Sequence, residues 1–425
     1  MRSAITILIS LMSVVAAAET QPFWPEFHGP KRDNISPETG LLKQWPEDGP
    51  KLLWKFTGCG QGYAGVSIAG GLLFTTGDFG AEERVIAIDL DGKLKWQKPN
   101  GRSWTGPQPG ARTTPTYSDG LVYQLNAHGV LSAFVAATGE VRWSTNLVER
   151  FSSRVSGWGF TENVIIDGDK VFVTLGGQAG KIVALNKKNG ISIWANTEIQ
   201  DTQAYSSPII VTHGGVKQMI ALTHESVVSV DVETGKLLWT HKHPSTCDQN
   251  VTSPVFHDGG VYVTSGHKAG GRMFRVEVGR ASLAATDTQA GAEARPTFTT
   301  KEAWFGVEQD NCHGGVVYVD GYLYGSGCRL YKRGLVCAEF ASGKIMYNNQ
   351  DIGKVSVTYA DGRLYCLGND ASMALVDVSP KEAKIVSRFQ PPWVAKPPCL
   401  SHPVICAGRL YIRHLDELFV YDIKQ

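Results

Sequence analysis

The sequence predicts an all-β protein: an eight-bladed β-propeller of four-stranded antiparallel blades, closed by an N-terminal outer strand joined to the C-terminal blade. Three observations predict it. A short phrase, an apolar strand followed by a Gly turn and a second strand ending on a large aromatic, returns along the chain. Most copies are preceded by another strand pair with its own turn. The two ends of the chain carry complementary parts of a single unit.

The first full copy of the phrase is Ala87-Ile88-Asp89-Leu90-Asp91-Gly92-Lys93-Leu94-Lys95-Trp96, and the second runs from Ala133 through Thr138-Gly139 to Trp143. The third joins Ala184-Leu185-Asn186 to Asn189-Gly190 and Trp194, and the fourth joins Val230-Asp231 to Thr234-Gly235 and Trp239. Later copies are weaker: Trp304 ends the fifth, Ser342-Gly343-Lys344-Ile345-Met346-Tyr347 carries Tyr for Trp, and Phe389 closes a seventh without the Gly. In each, the Gly accepts positive φ and the Asp, Asn or Thr bonds the local backbone, which makes a β-hairpin. Upstream turns such as Ser118-Asp119-Gly120 and Asp361-Gly362 supply the other two strands.

The terminal aromatics fall at 54, 96, 143, 194, 239, 304, 347 and 389. A four-stranded sheet of this length cannot cover both its faces and must stack on copies of itself, and radial stacking into a ring leaves no end unit exposed. Pro403-Val404-Ile405, Arg409-Leu410-Tyr411 and Leu418 to Asp422 read as three strands of a blade, and Lys51 to Phe56 reads as an outer strand without one. Joined, they make the eighth blade. The aromatics are read as wedges between blades rather than as ligand contacts, since buried rings are ordinarily core. The widest step, 239 to 304, places extra residues rich in Ala, Thr and Gly around Arg280 to Thr300.

Composition narrows the function. Of 425 residues, 42% are hydrophobic and 10% aromatic, which excludes a disordered chain. The net charge of +1 gives no field to draw nucleic acid or an anionic membrane. Residues 1–18 read as a signal peptide: Arg2, an apolar run from Ala4 to Val15, then Ala16-Ala17-Ala18 for cleavage near Ala18. That run is too short to span a bilayer, and no later one is longer. Residues 19–50 then form an N-terminal extension and 51–425 the propeller, exported to the periplasm or beyond and expected to be monomeric. Eight cysteines, from Cys59 to Cys406, permit disulfides, but their spacing does not give the pairing. For Cys366, inside an apolar strand, a buried free thiol is the simpler reading.

The phrase Ala-x-Asp-x-x-Thr-Gly-x-x-x-Trp, strongest at Ala133 to Trp143 and Ser229 to Trp239, resembles the docking motif of the PQQ-type quinoprotein β-propellers. That superfamily includes the quinoprotein alcohol dehydrogenases and the outer-membrane assembly lipoprotein BamB. The opening Trp24-Pro25-Glu26-Phe27-His28-Gly29-Pro30 is similar to the start of exported PQQ-binding-like propellers. The resemblance implies two alternatives. One is a PQQ-dependent alcohol or sugar dehydrogenase, with PQQ and Ca²⁺ as cofactors. The other is a non-catalytic propeller that binds a protein partner or small ligand at its loop-rich face.

The dehydrogenase alternative makes chemical demands: cations for a planar tricarboxylate, flat partners above and below it, hard oxygens for Ca²⁺, and a carboxylate base. These groups would lie on the loops that enter each inner strand. Arg112, Trp158, Tyr205, Asn250, His313, Lys354 and His402 are predicted nearest the axis, with Asp310 beside them, as an anion or sugar site would be built. Asp248 with Asn250, and Asp310 with Asn311, could supply oxygens to a cation. Polar loops are also what solvation alone would produce. No adjacent Cys-Cys pair is present, and no Asp–Asn–Glu set matches residue by residue, so no catalytic residue and no metal ligand is assigned. The lipid-attachment Cys of BamB is absent as well. The non-catalytic binding propeller is therefore the leading expectation.

Overall fold

Apolar residues alternate with turn formers along the chain, and each run pairs with its sequence neighbour because the Gly turns between them are too short for anything else. The computed structural model describes residues 21–245, 249–280, 295–328, 334–394 and 398–425. The predicted signal peptide, Cys247, Asp248 and most of the insertion lie outside the described residues.

Eight antiparallel sheets of four consecutive strands result, the eighth drawing on both ends of the chain. Blade 1 runs from Ser67–Ala69 at the axis through Leu72–Phe79 and Glu82–Asp89 to Leu94–Arg102 outside. Blades 2 to 7 repeat this order, starting at Thr116–Ser118, Ile165–Asp167, Ile209–His213, Val255–His257, Val316–Val319 and Val355–Ala360. Blade 8 comprises Val404–Cys406, Arg409–His414 and Glu417–Asp422, completed by Lys51–Thr57. Trp54 sits opposite Val420 and Leu52 opposite Tyr421, so the chain ends close the ring as predicted.

The repeated Gly and Trp are two halves of one contact. The indole N–H of Trp54, Trp96, Trp143, Trp194 and Trp304 donates to Leu90, Ala136, Lys187, Val232 and Phe340, the backbone carbonyls of the next blade's hairpin, at 2.8–3.1 Å. Each ring lies over the Gly of that hairpin: a Cβ on Gly92, Gly139, Gly190, Gly235 or Gly343 would approach it to 2.5–2.8 Å. Glycine is thus needed there for clearance as well as for positive φ. Trp239 departs from the rule and donates to Gln218 Oε1 at 2.8 Å. The hairpin it would meet, between Val278 and Phe298 of blade 5, is the one that carries the insertion.

Residues 21–50 are built into the ring. Trp24 exchanges two backbone hydrogen bonds with Ile68 of blade 1, and the Pro25 carbonyl accepts from Tyr117 N of blade 2. Arg32 donates to the carbonyls of Asn163 and Val164 in blade 3 and Pro208 in blade 4. Ile35–Ser36 lies parallel to the inner strand of blade 7, with Ile35 opposite Tyr359. Only a segment on the axis reaches inner strands all round the ring, so this stretch plugs the central channel. It then leaves past Asp361, Ile423 and Ser387 to become the outer strand of blade 8. His28, Arg32 and Asn34 all adopt positive φ, and the plug is a succession of tight turns.

Candidate functional site

In every blade the inner strand runs away from the face where the loop from the preceding blade arrives, so those eight loops crowd around the mouth of the axis. There they enclose a cavity of about 760 Å³. Each of the eight connections contributes to its wall: Tyr63, Arg112, Trp158, Tyr205, Gln249, His313, Lys354 and His402 in chain order. Phe27 and His28 of the plug also line it and close it toward the axis.

Six of the eight residues predicted from sequence are therefore brought together. Asn250 and Asp310 are not on the lining. Asn250 is buried and spends its amide on the carbonyls of Thr223 and His224, at 2.8 Å each, while its oxygen accepts from Ser265. Asp310 is buried, and its Oδ1 accepts from Cys328 N at 2.8 Å. Both cap backbone groups at the rim, a use that sequence position does not distinguish from facing the axis. Tyr63, Gln249, Asn369, Asp370 and His267 were missed. Tyr63 follows Gly58-Cys59-Gly60-Gln61-Gly62 in the loop from blade 8 to blade 1, which counting back from the inner strand would have found. Asn369, Asp370 and His267 come from the turns between the second and third strands, which open on the same face.

The lining is cationic and aromatic. Arg112 lies over the Trp104 ring, 5.3 Å from its centroid, and donates to the carbonyls of Pro107 and Gln108. Burial lowers its pKa to about 10, which leaves it charged at neutral pH. His402 donates Nε2–H to the His313 carbonyl at 2.9 Å, so its Nδ1 accepts from His28 Nε2 at 3.2 Å. Burial depresses both imidazoles, His402 to about 4, so they stay neutral and fix the wall rather than charge it. The fixed charges of the described lining are Arg112 and Lys354 against Asp370, with Trp158, Tyr205 and Tyr63 as flat surfaces.

Behind the wall, Glu162 is buried, and both its carboxylate oxygens lie 3.1 Å from Thr174 N. Burial pushes its pKa up to about 8, and the same holds for Glu83. In the unfolded chain a glutamate titrates near ~4.3. The folded state therefore holds these protons across the window between, and stability is greatest below it and falls as pH rises through it. Each group contributes a slope of about 1.4 kcal/mol per pH unit near its middle. Urea unfolding at pH 5, 6.5 and 8 should show this decline. Glu162→Gln should remove its share of the decline and leave that of Glu83, and an unaltered pH profile in that variant would contradict the assignment.

An eight-bladed ring with the Gly–Trp docking phrase defines the class as a PQQ-binding-like, quinoprotein-type propeller. The family described as outer membrane protein assembly factor BamB matches residues 40–144 and 81–311, more than half of the chain, and the chain belongs to that family. Among similar proteins, BamB of Salmonella typhimurium is 26% identical over 35% of this chain and 35% of its own length. The quinohemoprotein alcohol dehydrogenase ADH IIB of Pseudomonas putida is 28% identical over 31% of this chain and 20% of its own. The matches thus span from 20% to 46% of the length of the curated relatives that the chain resembles. The BamB structure from Moraxella catarrhalis superposes with a TM-score of 0.61 at 15% identity, covering 88% of this chain and all of that one, a likeness of fold.

The quinoprotein relatives raise the question of PQQ with Ca²⁺. Arg112, Lys354 and the aromatic rings suit a planar polyanion. A Ca²⁺ ion takes six to eight oxygens, usually with several carboxylates. Among the described residues the lining offers one carboxylate, Asp370, and the side chain of Asn163 is already committed to Thr114 N and Ser207 Oγ. The donor set does not fit the cation, and no Ca²⁺-dependent step is assigned. Among the described residues no helix is long and apolar enough to cross a membrane.

Proposed function

We propose that this protein is an exported, non-catalytic propeller that captures an acidic, aromatic-bearing segment of a protein partner in its axial cavity. The observation that carries the reading is the cavity wall itself. All eight loops contribute to it, its fixed charges among the described residues are two cations against one carboxylate, and broad aromatic faces stand beside them. Such a wall recognises carboxylates by charge and flat side chains by stacking. Membership of a family of assembly factors supports a polypeptide as the occupant.

An array of short peptides with acidic, neutral or basic residues around one aromatic, read by fluorescence polarisation, tests the idea. Acidic aromatic peptides should bind best, and binding should weaken with salt. Lys354→Gln should raise their Kd roughly ten-fold, a loss of about 1.4 kcal/mol, without lowering Tm. Equal binding of neutral and basic peptides, or none by any class, would overturn the proposal. So would dye-linked oxidation of alcohols or sugars by the protein supplied with PQQ and Ca²⁺.

A further inference from the structure

Two cysteines far from either chain end meet in the wall of the axial cavity. Cys312 lies in the loop entering blade 6, and Cys328 follows the second strand of that blade, Tyr322–Ser326. Both are buried, with their sulfurs 2.7 Å apart. The neighbouring turn of blade 5 makes room for them: a Cβ on Gly266 would overlap the Cys312 sulfur and come within 3.2 Å of that of Cys328. Gly266 is not among the glycines with positive φ, so its backbone would accept an alanine. The side chain is missing there because the sulfurs occupy the space. The turn continues through His267 and Lys268, both at positive φ.

We infer that Cys312 and Cys328 are a disulfide-forming pair, and that the bond clasps the blade 6 wall of the cavity. The inference is independent of which ligand the cavity takes. In the step, each thiol gives up one proton and one electron and a sulfur–sulfur bond forms. The oxidant is itself a disulfide, which accepts the two electrons and two protons and departs as two thiols.

A soft metal ion is the competing occupant, since the ligand atoms of His267, Cys312 and Cys328 lie within 4.8 Å of one another. Two thiolates on one tetrahedral zinc stand about 3.8 Å apart, given Zn–S bonds of ~2.3 Å, so the observed approach favours the bond. The other described cysteines, Cys59, Cys337, Cys366, Cys399 and Cys406, are buried free thiols held at about 11 to 12 by burial, as expected of inert core positions.

The test uses the full chain, divided between dithiothreitol and oxidised glutathione, then alkylated in denaturant and mapped by mass spectrometry. The oxidised sample should yield one cross-linked peptide pair containing Cys312 and Cys328. Its Tm should exceed that of the reduced sample by about 3–5 °C, as expected for closing a loop of this length in a chain of this size. The Cys312→Ser/Cys328→Ser variant should show no such difference. Gly266→Ala should lower the cross-linked fraction at least five-fold under the same oxidant, with the far-UV spectrum unchanged. Recovery of both cysteines singly alkylated after oxidation would overturn the inference. Retention of one equivalent of added Zn²⁺ that shields both from alkylation would do the same.

Discussion

A chain that begins at Gly58, lacking the outer strand Lys51–Thr57 and the axial plug, is expected to lose its cooperative unfolding transition altogether. Without Lys51–Thr57, the edge of Glu417–Asp422 loses the partners it now has from Lys51 to Thr57, and unpaired edge groups invite association. The Trp54 indole, bonded to the Leu90 carbonyl and stacked on Gly92, no longer joins blade 8 to blade 1. Trp24, Leu41 and Trp45, each 2–3% exposed, leave the core with it. Removing a buried large side chain costs about 2–5 kcal/mol, and several together exceed the ~5–15 kcal/mol that holds a typical fold. Near-UV circular dichroism and thermal melts would report the loss, and a synthetic peptide of residues 21–57 should restore part of the signal. A melt indistinguishable from that of the full chain would disprove the closure.

The second large effect is expected at Arg32. Its guanidinium is buried on the axis, bonded to Glu26 at 2.6 Å and to three carbonyls of blades 3 and 4. Arg32→Met keeps the stem but leaves a largely buried acid and three buried acceptors without their partner, and breaking a buried pair from one side costs about 3–5 kcal/mol. Burial already raises the pKa of Glu26, with Arg32 opposing it. Loss of Arg32 should raise it further, so the deficit should shrink as pH falls and Glu26 takes up a proton. Urea unfolding at pH 5 and pH 8 would show this. Arg32→Met combined with Glu26→Gln should recover part of the stability. A loss below about 1 kcal/mol, or one independent of pH, would show that the pair does not tie the plug to the blades.

How far the sequence revealed this molecule follows from which interactions leave a periodic trace. The blades were legible because Gly139 and Trp96, or Gly235 and Trp194, are two sides of a contact that five of the eight junctions repeat. The closure was legible because Lys51 to Phe56 had no blade of its own. The plug left no such trace: residues 21–50 make one-off contacts, through left-handed residues at His28, Arg32 and Asn34 that no repeat announces. At the site, Arg112, Trp158, Tyr205, His313, Lys354 and His402 were placed by their position just before an inner strand, and the structure gathers them. Asn250 and Asp310 occupy comparable positions but turn to backbone groups, since an amide or carboxylate at a crowded rim satisfies either surrounding. The approach of Cys312 to Cys328 depends on Gly266 in a different blade, which neither cysteine's neighbours in sequence disclose.

The stopper formed by Trp24 to Asn34 changes what kind of container the ring is. A bare propeller is a pipe, through which a polymer could in principle be drawn from one side to the other. Corked from within, this one is a cup, and whatever enters must leave by the door it came through. A guest made of polypeptide can then offer only a free end or the tip of a bend, and its residence time is set by a single exit.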